Sequence, residues 1–212
     1  MPDIRLMIVD DHPVFRQGLR DVLEIESDMQ VVGEAADGEA AIRLANELEP
    51  DVILMDINLP TMNGLQVTRQ IKAQQPHVKF VMITGYDDTE QVFHALGAGA
   101  SAYCAKDITP EDLIRTIEQV FSGRYVVGDR VMNYPEVVEW IEQKVGNLAG
   151  GLAAGHGKAD EVIVIALDHL PVHAIGLAPG RCGDAGGEHG FRPALAFCEQ
   201  LDVGTQAHIT QA

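Results

Sequence analysis

From residue 4 to about residue 122, short apolar runs rich in β-branched residues alternate with longer segments whose apolar positions recur at helical spacing. The strand-like runs are Ile4–Val9, Gln30–Gly33, Val52–Met55, Lys79–Ile83 and Ala102–Ala105. The helical segments are Pro13–Ile25, Glu39–Leu48, Gly64–Gln74, Thr89–Leu96 and Pro110–Phe121. The runs are mostly apolar throughout, as strands are when both of their faces are covered. Five strand–helix pairs in succession predict an α/β domain with a doubly wound parallel sheet and helices on both sides. Helix starts carry their own signals: Asp37 and Thr109 are expected N-caps, and Pro110 suits a first helical turn. In the first helix Val14, Leu19, Val22 and Leu23 form the stripe expected to face the sheet.

After Gly123 the regularity weakens. Tyr134–Val145 reads as one further amphipathic helix, with Val137, Val138, Ile141 and Val145 along one side, and suits a linker. Residues 146–212 hold 12 of the 21 glycines and five of the eight histidines, and only Val162–Leu167 reads there as a clear strand. These shifts divide the chain into a domain at 1–125, a linker helix at 126–146 and a Gly/His-rich tail at 147–212. The tail is either an output segment or a truncated, fused or frame-altered remnant. The chain has no internal repeat.

Hydrophobic content of 46% with 22% charged residues is that of a folded globular chain. A formal charge of −17, with no run of Lys and Arg, weighs against binding DNA, whose phosphates are held by clustered cations. The opening MPDIRLMIVDD reaches two aspartates before any secretory apolar core, and no later stretch has the ~20 apolar residues of a membrane span, so a cytoplasmic protein without a membrane partner is expected. Cys104, Cys182 and Cys198 are too few and too scattered for a disulfide framework.

In a doubly wound sheet, ligands bind beyond the carboxyl ends of the strands. Asp10 and Asp11 follow the first strand, Asp56 the third, Thr84 ends the fourth and Lys106 follows the fifth. Three carboxylates, one hydroxyl and one ammonium are thereby expected on one rim. Crowded carboxylates repel and call for a cation, and a hard divalent ion such as Mg²⁺ is held by carboxylates, waters and phosphate oxygens. Such a rim can accept a phosphoryl group, with Asp56 attacking in line while the metal and Lys106 neutralise the developing charge.

The stretches IVDDHPVFRQGL, DVILMDINLPTMNG, VMITGY and YCAKD, each after its expected strand, resemble the CheY-like receiver domain of bacterial response regulators over roughly residues 3–125. The resemblance implies a five-stranded, flavodoxin-like sheet of order 2-1-3-4-5. It makes Asp56 the phosphoacceptor, Asp10 and Asp11 metal-site residues, and the backbone carbonyl of Asn58 a further Mg²⁺ ligand. Thr84 and Lys106 would contact the phosphoryl group, and Tyr103 would change rotamer with Thr84 as a switch. A histidine kinase is the implied partner, and a homodimer is compatible with it. DDHPVFRQGL is most similar to the NarL/FixJ group, and GRYVVGDRV resembles the start of that group's linker. That group ends in a helix-turn-helix opening with a segment like LTPRE; nothing after residue 146 matches it, so a DNA-bound output is not expected of this chain.

Other readings of the same residues are weaker. Haloacid-dehalogenase-like phosphatases also use an aspartyl nucleophile and Mg²⁺, but they open with DxDx(T/V), whereas Asp10 and Asp11 are adjacent here; a switch rather than an enzyme is expected. His12 is expected to pack beside the acidic pair without assigned chemistry. In the tail, His169, His173, Cys182, His189 and Cys198 match no compact zinc spacing, and Pro171 prevents one helix from presenting the two nearest histidines together. GAGAS at 97–101 and GKAD at 157–160 lack the glycine spacing of a phosphate loop.

Overall fold

The computed structural model describes residues 3–85 and 89–151. Its strands are β1 (Ile4–Val9), β2 (Met29–Ala35), β3 (Val52–Asp56), β4 (Lys79–Thr84), β5 (Ala102–Ala105), β6 (Tyr125–Val127) and β7 (Arg130–Met132). The helices are α1 (Pro13–Leu23), α2 (Gly38–Leu48), α3 (Gly64–Gln74), α4 (Thr89–Gly97), α5 (Pro110–Phe121) and α6 (Tyr134–Gly151). The sheet runs β2-β1-β3-β4-β5-β6-β7. Its first five strands are parallel in the expected order 2-1-3-4-5; β6 continues parallel to β5, and β7 returns antiparallel to β6.

Side-chain alternation along each central strand sends neighbours to opposite faces. Met7, Ile53, Met55, Phe80, Met82 and Tyr103 join one core cluster, which also takes in Val67 and Ile71 of α3 and Phe93 and Leu96 of α4. Ile8, Leu54, Val81, Ile83 and Cys104 join the other, with Leu19 and Leu23 of α1 and Leu113 and Ile117 of α5. Each fully buried Leu, Ile, Val, Phe or Met in these layers contributes on the order of 1.5–3 kcal/mol, so the sheet is held from both sides.

Local signals set the helix starts. Asp37 accepts a hydrogen bond from the Ala40 N–H at 2.8 Å, and Thr109 accepts one from Asp112 at 3.2 Å, as expected of N-caps. Asn63 caps α3 in the same way, accepting from Leu65 at 2.8 Å. Behind that cap, a Cβ built on Gly64 would lie 2.1 Å from the carbonyl oxygen of Asp56. Glycine lets α3 begin directly against the end of β3.

Three sequence expectations are corrected. Val14 does not face the sheet: it is 85% exposed, and in its place the half-buried Phe15 packs against the core cluster that holds Leu19 and Leu23. Among the described residues the expected five-stranded parallel core is extended to seven strands, because Gly128, at a positive φ of 56°, turns YVV back on RVM as a hairpin whose strands are only three residues long. Residues 125–132, part of which the sequence reading groups with a linker helix, thus belong to the sheet, and α6 runs from Tyr134 to Gly151 rather than stopping at Val145. Val137, Trp140 and Ile141 of α6 are buried in the first core cluster, where the Trp140 ring stacks on Phe93 at 5.6 Å. Val162–Leu167 and the tail residues His169, His173, Cys182, His189 and Cys198 lie outside the described residues.

Replacing Gly64 by alanine should force the start of α3 away from Asp56, lowering stability by about 1–3 kcal/mol as overpacking does. Urea unfolding followed by far-UV circular dichroism would measure this; an unchanged midpoint would contradict the close approach.

Candidate functional site

The carboxyl ends of β1, β3, β4 and β5 are neighbours in the sheet, and the polar residues of interest sit at or just beyond them. Asp10 follows β1, Asp56 ends β3, Thr84 ends β4 and Lys106 follows β5. The backbone N–H of Lys106 donates to the Thr84 carbonyl at 2.8 Å, tying the last two ends together.

Asp10 and Asp56 are both 2% exposed. At ~5 Å and an effective dielectric of ~20, two such charges repel by about 3 kcal/mol. Lys106 answers this directly: its Nζ lies 2.7 Å from Asp10 Oδ2 and 2.8 Å from Asp56 Oδ2. Partial burial works against the ammonium, but hydrogen bonds and charge attraction from the two aspartates outweigh it and hold the Lys106 pKa above the ordinary lysine value. The same Nζ stands 4.8 Å from the centre of the Phe15 ring, an α1 side chain that covers it.

The remaining carboxylate oxygens are oriented by short loops. Asp56 Oδ1 accepts from the Asn58 N–H at 3.1 Å, and Asp10 Oδ1 accepts from the His12 N–H at 2.7 Å. Arg16, one turn into α1, donates to the Asp10 carbonyl at 2.6 Å and to Glu34 Oε2 of β2 at 2.9 Å. Arg20 donates to the other oxygen of Glu34 at 2.5 Å. This network pins the start of α1 to the end of β1. Asp10, Asp11, His12 and Asp56 each offer a ligand atom, all within 4.8 Å of one another. The buried Asp11 Oδ1 atom lies 2.7 Å from His12 Nδ1, and that ring nitrogen also reaches Asp10 Oδ1 at 3.2 Å. The donor set therefore fits a hard divalent cation.

Of the residues singled out from the sequence, Asp10, Asp11, Asp56 and Lys106 come together, and Asn58 lies beside Asp56 with its side chain exposed. Thr84 is fully buried at the end of its strand. Tyr103 is not among the charged groups: it is buried on the face of the sheet that α4 covers, with Val92, Phe93 and Leu96. Sequence reasoning passed over Arg16 and Phe15. The available signal was helical spacing: Phe15 and Leu19 are four apart, as are Arg16 and Arg20. A cavity of about 950 Å³ opens beside the cluster, lined by Val14, Phe15, Leu19 and Val22 of α1 and by Ile108 and Leu113 near α5.

Residues 6–118 match the response regulator receiver domain. The uncharacterized transcriptional regulatory protein YhcZ of Bacillus subtilis is 42% identical over 129 residues, which are 61% of this chain and 60% of that protein. The nitrate/nitrite response regulator protein NarL of Escherichia coli is 37% identical over 124 residues, 58% of this chain and 57% of NarL. Less than two thirds of either relative is thus spanned. Among solved structures, a two-component response regulator of the LuxR family from Aurantimonas sp. superposes with a TM-score of 0.58 at 34% identity, covering 68% of this chain and 99% of that one. With its 2-1-3-4-5 parallel core, its acidic rim and the match over residues 6–118, the chain belongs to the receiver domain family of two-component response regulators.

Proposed function

We propose that Asp56 accepts a phosphoryl group from the phosphohistidine of a histidine kinase, and that the resulting charge is read out as a conformational change. The observation that carries this reading is the single ammonium of Lys106 held between two nearly buried carboxylates at the rim. An oxygen of Asp56 attacks phosphorus, the phosphorus–nitrogen bond of the donor breaks, and its electron pair stays with the departing imidazole. Lys106 is already within reach of Asp56 Oδ2, so it meets the new phosphoryl oxygens without large movement. Asp10, Asp11, Asp56 and the Asn58 carbonyl would hold Mg²⁺, which supplies further neutralisation of the transferring group. The chain is then the acceptor in a relay, not a turnover enzyme acting on a small-molecule substrate.

Output is assigned to Thr84 and Tyr103. The Thr84 hydroxyl moves to the phosphoryl group, and Tyr103, one strand away and packed beneath α4, repositions with it. Residues 1–125 would serve as the receiver and α6 as the start of a linker, in a protein that works in the cytoplasm and is open to dimerisation. A second reading, a DNA-bound output, is favoured by the description of a similar protein as a transcriptional regulatory protein. Against it, residues 131–212 carry only Lys144, Lys158, Arg181 and Arg192 as fixed cations, against ten acidic residues.

Incubation with acetyl phosphate and Mg²⁺ should give an acid-labile adduct on the wild-type chain and none on Asp56→Asn; equal labelling of both by mass spectrometry would remove Asp56 from the role. Thr84→Ala should still take up the phosphoryl mimic beryllofluoride but lose the change in amide exchange across residues 89–121 that the wild type shows. Identical exchange responses in the two proteins would exclude Thr84 from the switch. Titrated against mixed genomic DNA at several salt concentrations, the chain should give a flat anisotropy response with or without beryllofluoride. Saturable, salt-sensitive binding at sub-micromolar concentration would instead establish the second reading.

A further inference from the structure

We propose that Phe15 is a positioning residue for phosphoryl acceptance: the face of its ring holds the Lys106 ammonium, screened from water, where it meets the charge developing on the transferring group. This rests on the reading that Asp56 is the phosphoacceptor.

A lysine ammonium carries three donor hydrogens. Two partners of Lys106 are oxygens, Asp10 Oδ2 at 2.7 Å and Asp56 Oδ2 at 2.8 Å. The third, among the described residues, is the Phe15 ring, whose centre lies 4.8 Å from Nζ. That is inside the ~6 Å over which the negative face of an aromatic ring attracts a cation. The Lys106 side chain is left only 22% exposed.

The fold fixes the ring in this place. Phe15 is half-buried against the core cluster that contains Leu19 of α1 and Leu113 of α5. Its neighbour Arg16 donates to the Asp10 carbonyl at 2.6 Å, which anchors the first turn of α1 to the site. Val14, on the other side, is 85% exposed, so α1 is rotated to present the aromatic residue, and not the aliphatic one, to Lys106.

The three partners of the ammonium differ in what the reaction asks of them. Asp56 is the group that reacts, and Asp10 belongs to the donor set for a divalent cation, so both carboxylates are drawn into other bonds as the phosphoryl group arrives. The ring alone keeps its role throughout. With acetyl phosphate as donor, an Asp56 oxygen attacks phosphorus, the bond from phosphorus to the bridging oxygen breaks, and acetate leaves with the electron pair. An ammonium already in place and shielded from water stabilises the charge on the phosphoryl oxygens more than a solvated one does. An aliphatic side chain at position 15 would exclude water but offer the ammonium no negative face.

Site-specific incorporation of mono-, di- and trifluorinated phenylalanine at position 15 of the full chain tests this, because fluorine drains the negative face of the ring while nearly preserving its shape. With acetyl phosphate and saturating Mg²⁺, the rate of Asp56 labelling followed by mass spectrometry should fall with each fluorine, to about fivefold below the wild type. Phe15→Leu should fall to the same level, and Phe15→Trp, which keeps a ring, should recover most of the difference. The cavity of about 950 Å³ beside Phe15 leaves room for the larger side chain. Equal rates across the fluorinated series, or a Phe15→Leu protein as fast as the wild type, would overturn the proposal; the fluorinated series decides it even where Phe15→Leu does not fold. Wild-type protein that takes no more label than Asp56→Asn defeats the reading of Asp56 itself. Labelling that is specific to Asp56 but blind to fluorination defeats only the role of Phe15.

Discussion

One ammonium between two buried carboxylates organises this protein. Asp10 and Asp56 sit at the ends of adjacent strands where water barely reaches, and without Lys106 their repulsion would oppose the register that aligns β1 with β3. The lysine comes from a third strand end, so the ion pairs also draw β5 toward the rim, where its backbone already meets Thr84. Removing either kind of partner would leave an uncompensated charge in a poorly solvated place, which is far more costly than the pairs are stabilising. A site built on such balanced charges responds strongly to any added charge.

The fold makes that balance possible by keeping the rest of the sheet apolar. Alternation sends successive side chains of β1, β3, β4 and β5 into two separate layers, and both are sealed by helices. Polar chemistry is thereby confined to the point where the strands run out and the chain turns into the next helix. Close packing at that turn depends on Gly64, whose missing side chain lets α3 begin against the Asp56 backbone. The Arg16–Glu34–Arg20 network does the equivalent for α1, fixing the loop that carries Asp10, Asp11 and His12.

Beyond the five-stranded core, the β6–β7 hairpin and α6 extend the molecule from the β5 edge. An edge strand presents unpaired backbone groups, and pairing Tyr103 with Val127 covers part of that edge with the chain's own backbone. The Trp140–Phe93 stack then fastens α6 to α4. Tyr103 and Trp140 line one cavity, together with Val92, Arg115 and Val127. A rearrangement around Tyr103 would be felt first by elements of the same chain.

Much of this architecture was legible from local pattern alone. Apolar runs of strand length, helical spacing and the caps at Asp37 and Thr109 are short-range effects, each decided within a few residues, so the five strand–helix pairs could be read directly from the chain. Placement of Asp10, Asp56, Thr84 and Lys106 at one rim followed because parallel strands bring like ends together whatever lies between them. What only the tertiary structure decided were features that depend on distant partners. Val14 and Phe15 are both apolar neighbours, and which one is half-buried and which exposed turned on how α1 docks over Lys106 and the sheet. Three-residue strands such as β6 and β7 carry too little pattern to be read alone and exist because the β5 edge was there to pair with. The nearness of the His12 ring nitrogen to two carboxylates, and the grip of Arg16 on Asp10, are matters of ångströms set by packing; residue order determined which groups reach the rim, and the folded structure determined which of them touch.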